Sequence, residues 1–274
     1  MKILEIPTTS VGTSSRTPYK HWLLNSMLGK VVGALSTGKT TCSPHLTVVD
    51  MCAGDGVGYG EKEQSSPSII AKHINWPRKG GRHIESRKAH LFEIQTNTYD
   101  TLKSNFGSTP GFTIQNRDSK GWTLNEIDLK PRESVLVYAD PNAITTLPVT
   151  PELIASFTST TLFLMTLGYN VGGAKRLPRE EREQWMKTAI NIIDSTYEHH
   201  DILLVWLVQD KSQWAYLSAV PKVWSADTLV DSIIAGKKRW VSGVDGLSLK
   251  RHGRPALVSR FSELILTKSE LETK

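Results

Sequence analysis

The chain has 274 residues, 39% of them hydrophobic and 22% charged, which suits one large α/β domain, or one domain with an insertion, and can fill a sizeable core. No apolar run approaches the roughly 20 residues a membrane span needs, and the N-terminal MKILEIPTTSVGTSS lacks the continuous apolar stretch of a signal peptide. Two cysteines, Cys42 and Cys52, give neither a disulfide framework nor a zinc cluster, so the expected setting is reducing and cytoplasmic; the formal charge of +6 (isoelectric point near 9.2) favours a polyanionic partner such as DNA or RNA.

Residues 1–17 are rich in Ser and Thr and are expected to form a flexible N-terminus. Pro18 suits a first helical position, and Trp22, Leu23, Met27, Val31, Val32 and Leu35 follow near a 3.6 period, predicting a helix. The polar loop 36–44 leads into His45–Asp50, a short apolar run that predicts a buried strand ending in an acid. Further strands are predicted at 89–94, 111–115, 134–139, 160–167, 201–208 and 256–266, with helices at 96–106, 151–157 and 178–197 between them. Alternating strands and helices predict an α/β fold: a doubly wound, mostly parallel, seven-stranded sheet with helices on both faces. Residues 61–87 and 211–255 interrupt the alternation and read as insertions at the sheet's edge or binding face. The domain reading is therefore a cofactor-binding α/β core over 18–210, a basic insertion over 211–255, and a final strand and tail of the core over 256–274.

The densest chemical signal is VVDMCAGDGVG, residues 48–58, where a buried strand runs directly into Gly54, Gly56 and Gly58. Glycines there permit positive φ and let backbone amides approach a ligand, and in open α/β sheets ligands sit at the carboxyl ends of strands. The alternative is a tight turn without a ligand. Three acids tilt the balance: Glu93 at the end of the second strand, where it could take both hydroxyls of a ribose, Asp118 after the third, suited to an adenine amino group, and Asp140 in Asp140-Pro141-Asn142 after the fourth. Each alone reads as a solvated strand-end charge; together they converge on one crevice.

That order of glycine turn, Glu, Asp and Asp-Pro resembles the class I S-adenosylmethionine-dependent methyltransferases. A narrower resemblance is to the three-Cys-motif partner proteins, carried by Tyr19-Lys-His-Trp-Leu-Leu, Asp50-Met-Cys-Ala-Gly-Asp-Gly, Gly58-Tyr-Gly with Ser66-Pro67, Phe92-Glu93 and Asp140-Pro141. The resemblance covers residues 18–210 and implies S-adenosylmethionine as cofactor and no metal. It implies that Asp50 orders the turn, that Cys52, Ala53, Gly54 and Gly56 line the methionine part, and that Glu93 and Asp118 hold ribose and adenine. Cys52 stands where many class I enzymes have the first glycine. In DNA amino-methyltransferases an Asp-Pro-Pro-aromatic motif orients the exocyclic amino group of a flipped base. Here Asp140 and Pro141 match, Asn142 follows, and the aromatic is replaced by Ala143, so stacking would have to come from Tyr138, Tyr169 or Trp122, each of which otherwise reads as core.

Three more features complete the sequence reading. Gly33 to Thr40 fits the Walker A pattern, yet a buried strand follows within a few residues, leaving no room for the helix that a phosphate loop must open. Lys237, Lys238, Arg239, Lys250, Arg251 and Arg254 face a single acid, Asp245, and with Trp240 nearby could grip phosphates and stack a base; a solvated basic helix end is the alternative. His199-His200 falls at an expected helix end, where capping or exposure is favoured over metal binding. The sequence thus predicts a nucleic-acid methyltransferase with a base amino nitrogen, such as DNA adenine N6, as acceptor. A methyltransferase-fold binding or regulatory protein without transfer is the second reading, and a P-loop nucleotide hydrolase the third.

Overall fold

The computed structural model describes residues 17–38, 40–58, 64–75, 84–141, 148–167, 178–180, 183, 187, 191, 194, 200–209, 212–222 and 247–251. Two compact units divide the chain, Met1–Ser119 with Lys130–Tyr138, and Lys120–Leu129 with Ala139–Lys274. The first unit runs α1 (Thr17–Thr37), β1 (His45–Asp50), α2 (Ser66–Ile74), β2 (Ser86–Glu93), α3 (Thr96–Phe106), β3 (Phe112–Asn116) and β4 (Ser134–Ala139). Its strands lie in the order β3-β2-β1-β4, and β1 pairs in parallel with both β2 and β4, as β2 does with β3. All six residues of β4, SVLVYA, are buried, and five of six in β1. Such continuous apolar runs are what a parallel strand covered on both faces requires. The chain builds outward from β1 to β3 and then returns to the opposite side of β1. That reversal makes the carboxyl end of β1 a topological switch point.

α1 buries Leu23, Leu24, Met27, Leu28, Val31 and Leu35, while Trp22 and Val32 are only half-buried, so the apolar stripe lies slightly to one side of the predicted one. The 61–87 stretch does not loop out as the insertion its composition suggested. It supplies α2 and the first residues of β2, because SPSIIAKHI buries Ile69, Ile70 and Ile74 and is stopped at both ends. Ser65 caps its start by accepting from the Ser68 amide, and Arg87 caps its end by donating to the carbonyls of His73 and Ile74 at 2.8 and 3.1 Å.

The second unit contains a 3-10 turn (Leu124–Glu126), α4 (Pro151–Ala155), β5 (Thr161–Leu167), β6 (His200–Gln209), β7 (Ser212–Pro221) and β8 (Leu247–Arg251). Its strand order is β5-β7-β6-β8, with β7 antiparallel to both neighbours, so β5 and β6 point the same way. The described residues therefore hold eight strands where seven were predicted; six belong to the same-direction sets, β1 to β4 in one unit and β5 with β6 in the other. β7 and β8 fall inside 211–255, which the sequence presented as an insertion. Small and polar residues in SQWAYLSAVP hide the strand pattern, and pairing along both edges makes it a strand nonetheless. The predicted strand at 256–266 lies outside the described residues. The described positions of the predicted 178–197 helix, Arg179, Glu180, Glu183, Lys187, Asn191 and Asp194, are helical. His200 does not cap a helix: it opens β6, is buried, and its Nε2 lies 2.6 Å from the Thr161 carbonyl oxygen. Among the described residues no helix is long and apolar enough to cross a membrane, and no cluster of three His, Cys, Asp or Glu could hold a metal.

α1 and α2 meet at a buried polar pair. His73, 4% exposed, donates from Nε2 to Asn25 Oδ1 at 2.8 Å, and its ring packs over Gly29. Burial, with the Lys72 charge next, lowers its pKa from 6.5 to about 4, the hydrogen bond to Asn25 offsetting part of the fall. The folded protein keeps His73 neutral, whereas the unfolded chain takes up a proton below the ordinary histidine pKa. Its stabilising contribution is therefore complete above the unfolded value and is lost as pH falls toward the folded one. Between pH 7.5 and 5 the wild type should lose about 2 kcal/mol more stability than His73→Gln, measured by urea unfolding at the two pH values.

Candidate functional site

β1 does not end cleanly at Asp50. The Met51 amide donates to the Tyr138 carbonyl at 2.9 Å and the Ala53 amide to the Phe92 carbonyl at 3.0 Å, so the chain stays laced between β4 and β2 for three more residues. It breaks away at Gly54, φ +65°, and turns again at Gly56, φ +74°. The side chain of Asp50 is fully buried, and its Oδ1 accepts from the Cys52 amide at 3.1 Å. Asp55 closes an Asx-type turn by accepting from the Val57 amide at 2.8 Å. The two glycines serve different needs. A Cβ on Gly54 would meet nothing within 4 Å, whereas one on Gly56 would stand 2.5 Å from the Phe106 ring. Gly54 thus presents bare backbone to open space, and Gly56 allows α3 to pack against the turn.

Glu93 joins this turn from 39 residues away. Its Oε2 accepts from the Gly54 amide at 3.1 Å and its Oε1 from the Gln95 amide at 2.8 Å. A carboxylate has about four lone-pair sites, so two acceptor positions remain for donors such as paired hydroxyls. The two large apolar side chains exposed among the described residues, Val57 at 48% and Ile94 at 61%, stand on the turns that follow β1 and β2. Asp118, exposed, follows β3; beside it the buried Ser119 hydroxyl donates to the Met51 carbonyl at 2.7 Å and ties the Asp118 segment to the β1 turn. The Ser65 hydroxyl donates to the Gly56 carbonyl at 2.7 Å, linking the same turn to the start of α2. Asp50, Cys52, Ala53, Gly54, Gly56 and Glu93, the residues singled out in the sequence, lie together in the first unit. Ser65, Ser119, Val57 and Ile94 were not anticipated; a serine before Ser-Pro is a readable cap signal, while nothing in the sequence points to Ser119.

Of the acceptor-side residues, Asp140, Pro141 and Trp122 lie in the second unit and Tyr138 in the first. Asp140 is half-buried and Pro141 buried; Asn142 is outside the described residues. Tyr138 and Trp122 are fully buried core side chains, and neither is free to stack on a base. Tyr169, Lys237, Lys238, Arg239, Trp240 and Arg254 lie outside the described residues. Lys250 and Arg251 belong to strand β8, opposite Leu204 and Leu203.

The Walker-like segment lies at the wrong end of a helix. Gly33 to Thr37 form the last turn of α1, the Thr37 hydroxyl donates back to the Gly33 carbonyl at 3.0 Å, and Gly38 leaves the helix at φ +64°. A helix C-terminus presents carbonyls and a negative dipole end, which repel phosphate.

The contrast between the two turn glycines is measurable. Gly54→Ala should cost about 1 kcal/mol, the expense of positive φ in a residue with a Cβ. Gly56→Ala adds the collision with Phe106 and should cost about 3 kcal/mol in urea unfolding.

No family model matches the chain, and no curated protein matches it in sequence. Among solved structures, protein LPL1258 from Legionella pneumophila shares 14% identity over 86% of this chain and 97% of that one, with a TM-score of 0.52. An rRNA methylase from Streptococcus thermophilus shares 10% identity over 76% and 99%, TM-score 0.41. Cofactor-bound Rv0187 from MTB shares 12% over 80% and 84%, TM-score 0.44. The first of these likenesses bears on fold, and with the strand orders and the parallel pairing around β1 it identifies a doubly wound, Rossmann-like α/β fold.

Proposed function

We propose that the chain is an S-adenosylmethionine-dependent methyltransferase acting on nucleic acid. The observation that carries this reading is the Glu93 carboxylate, held by the Gly54 and Gln95 amides beside a glycine turn whose outer face is open. The residues fit the cofactor: Glu93 for the ribose hydroxyls, Ile94 and Val57 as apolar surface for the adenine, Asp118 for its amino group, and the Cys52 to Gly56 backbone for the methionine part. When bound, that cofactor supplies an electrophilic methyl group on a sulfonium sulfur. The chain's own task is then to orient a nucleophile, since positioning contributes most where little proton transfer is required.

Asp140 and Pro141 favour an amino nitrogen as acceptor, with DNA adenine N6 the preferred candidate. Asp140 would accept from the amino group, and Asn142 would assist. The excess of basic residues between 237 and 254 suits a phosphate backbone and makes binding fall steeply with salt. The narrower likeness to three-Cys-motif partner proteins and a cytoplasmic setting belong to the same reading. A second reading is favoured by one observation: the position after Asn142 is Ala143, and the nearby Tyr138 and Trp122 are buried. A methyltransferase-fold binding or regulatory protein would keep the cofactor cleft and lack transfer.

Calorimetric titration separates these outcomes from a wrong assignment of the cleft. S-adenosylmethionine should bind wild type in the micromolar range, and Glu93→Ala should weaken it roughly fifty-fold, as expected for losing hydrogen bonds to a charged acceptor. Labelled methyl transfer to DNA or RNA that disappears in Asp140→Ala, with cofactor affinity retained, supports the enzyme; binding without transfer supports the regulatory reading. Absence of binding by folded wild type removes both.

A further inference from the structure

The β2–β3 ladder ends at the pair Glu93 and Asn116. Beyond it β3 offers no further strand amides, and the chain from Glu93 to Thr96 must be held by other means. The Asn116 side chain does this. Its Nδ2 donates to the carbonyls of Glu93 at 3.0 Å and Ile94 at 3.3 Å, and its Oδ1 accepts from the Thr96 hydroxyl at 3.3 Å. Gln95, at the N-cap of α3, makes no side-chain capping bond, so the Asn116–Thr96 contact takes part in fixing the start of that helix. The opposite side of the loop is fixed by the two amide bonds to the Glu93 carboxylate. Gripped from both sides, the loop keeps Ile94 61% exposed, against the tendency of an apolar side chain to fold back onto the protein.

We propose that Asn116 is a positioning residue for the adenosine end of the cofactor, acting through the Glu93–Thr96 loop; the inference rests on the cofactor reading given above. The side-chain amide is the chemistry the position demands. Two carbonyls need two N–H donors and the Thr96 hydroxyl needs an acceptor, a set that a carboxylate cannot supply and a hydroxyl supplies only in part. Asn116 is itself exposed, so truncating it opens no core cavity. Its loss should relax where the ribose acid and Ile94 stand, and leave the global fold in place.

The test titrates S-adenosylhomocysteine and 5′-methylthioadenosine, which keeps the adenosine and lacks the amino-acid end, against wild type, Asn116→Ala and the isosteric Asn116→Asp. Asn116→Ala should weaken both ligands by the same factor, roughly tenfold, because the three side-chain hydrogen bonds that hold the loop are lost. Asn116→Asp should weaken them further, because its carboxylate faces two carbonyls. Melting temperatures should stay at the wild-type value, and amide hydrogen exchange should quicken at Ile94 and Gln95 while the strands remain protected. Wild-type affinity in Asn116→Ala overturns the inference and leaves the cofactor reading standing. So does a loss confined to S-adenosylhomocysteine, or one accompanied by a matching fall in melting temperature. Wild type that binds neither ligand overturns the cofactor reading, and this inference with it.

Discussion

The candidate site depends on how the chain leaves β1. Three residues past the strand it is still hydrogen-bonded to β4 and β2, through the Met51 and Ala53 amides, and only then does it turn at positive φ. That delay delivers the Gly54 amide to the Glu93 carboxylate at the end of β2. A carboxylate fixed by two backbone amides needs no reorganisation before a ligand arrives, which is the physical meaning of preorganisation. The neighbouring segments are tied to this junction. Ser119 anchors the Asp118 segment to it, Ser65 anchors α2, and the bare face of Gly54 leaves it open.

Helix α2 transmits the requirements of the core to the same turn. Its first residues are coupled to the Gly56 carbonyl through Ser65, and its last turn is capped by Arg87. Its His73 is buried against Asn25 of α1. A neutral buried imidazole with one satisfied donor costs little at neutral pH and becomes expensive once protonated, since the charge would lie in an apolar setting near Lys72 and Arg87. The N-terminal helix, α2 and the glycine turn of the first unit are therefore connected by named hydrogen bonds as well as by apolar packing.

Two superficially equal glycine motifs separate on context. The Gly54 and Gly56 turn follows a buried strand and precedes a helix, and its Gly54 amide meets the Glu93 carboxylate at a strand's carboxyl end. Gly33 to Gly38 closes a helix, so its carbonyls are presented instead, and the Walker-like pattern has no phosphate to hold. Tyr138 and Trp122 show the same dependence on setting: both aromatic side chains are packed completely into the core.

Much of this was legible in the sequence because it is local. Strand-long apolar runs set β1 and β4, the 3.6 period set α1, and α3 has the predicted bounds Thr96–Phe106. The glycine turn and the acid that follows β2 are likewise adjacent to strands that announce themselves. What the sequence could not give depends on neighbours distant along the chain. α2 hid in an apparent insertion because nine residues with three isoleucines become a helix only when a sheet covers them, and β7 hid because its pattern is weak until two strands pair with it. His200 looked like a helix end and became a buried strand residue, its ring against the Thr161 carbonyl. The assignments of Ser119, Ser65 and Asn116 rest on contacts to atoms 68, 9 and 23 residues away, which no local pattern encodes. The sequence alone determined the fold class and the residue types at the turn; tertiary structure decided which amide meets which oxygen, because hydrogen bonds between strand ends exist only once the strands are side by side.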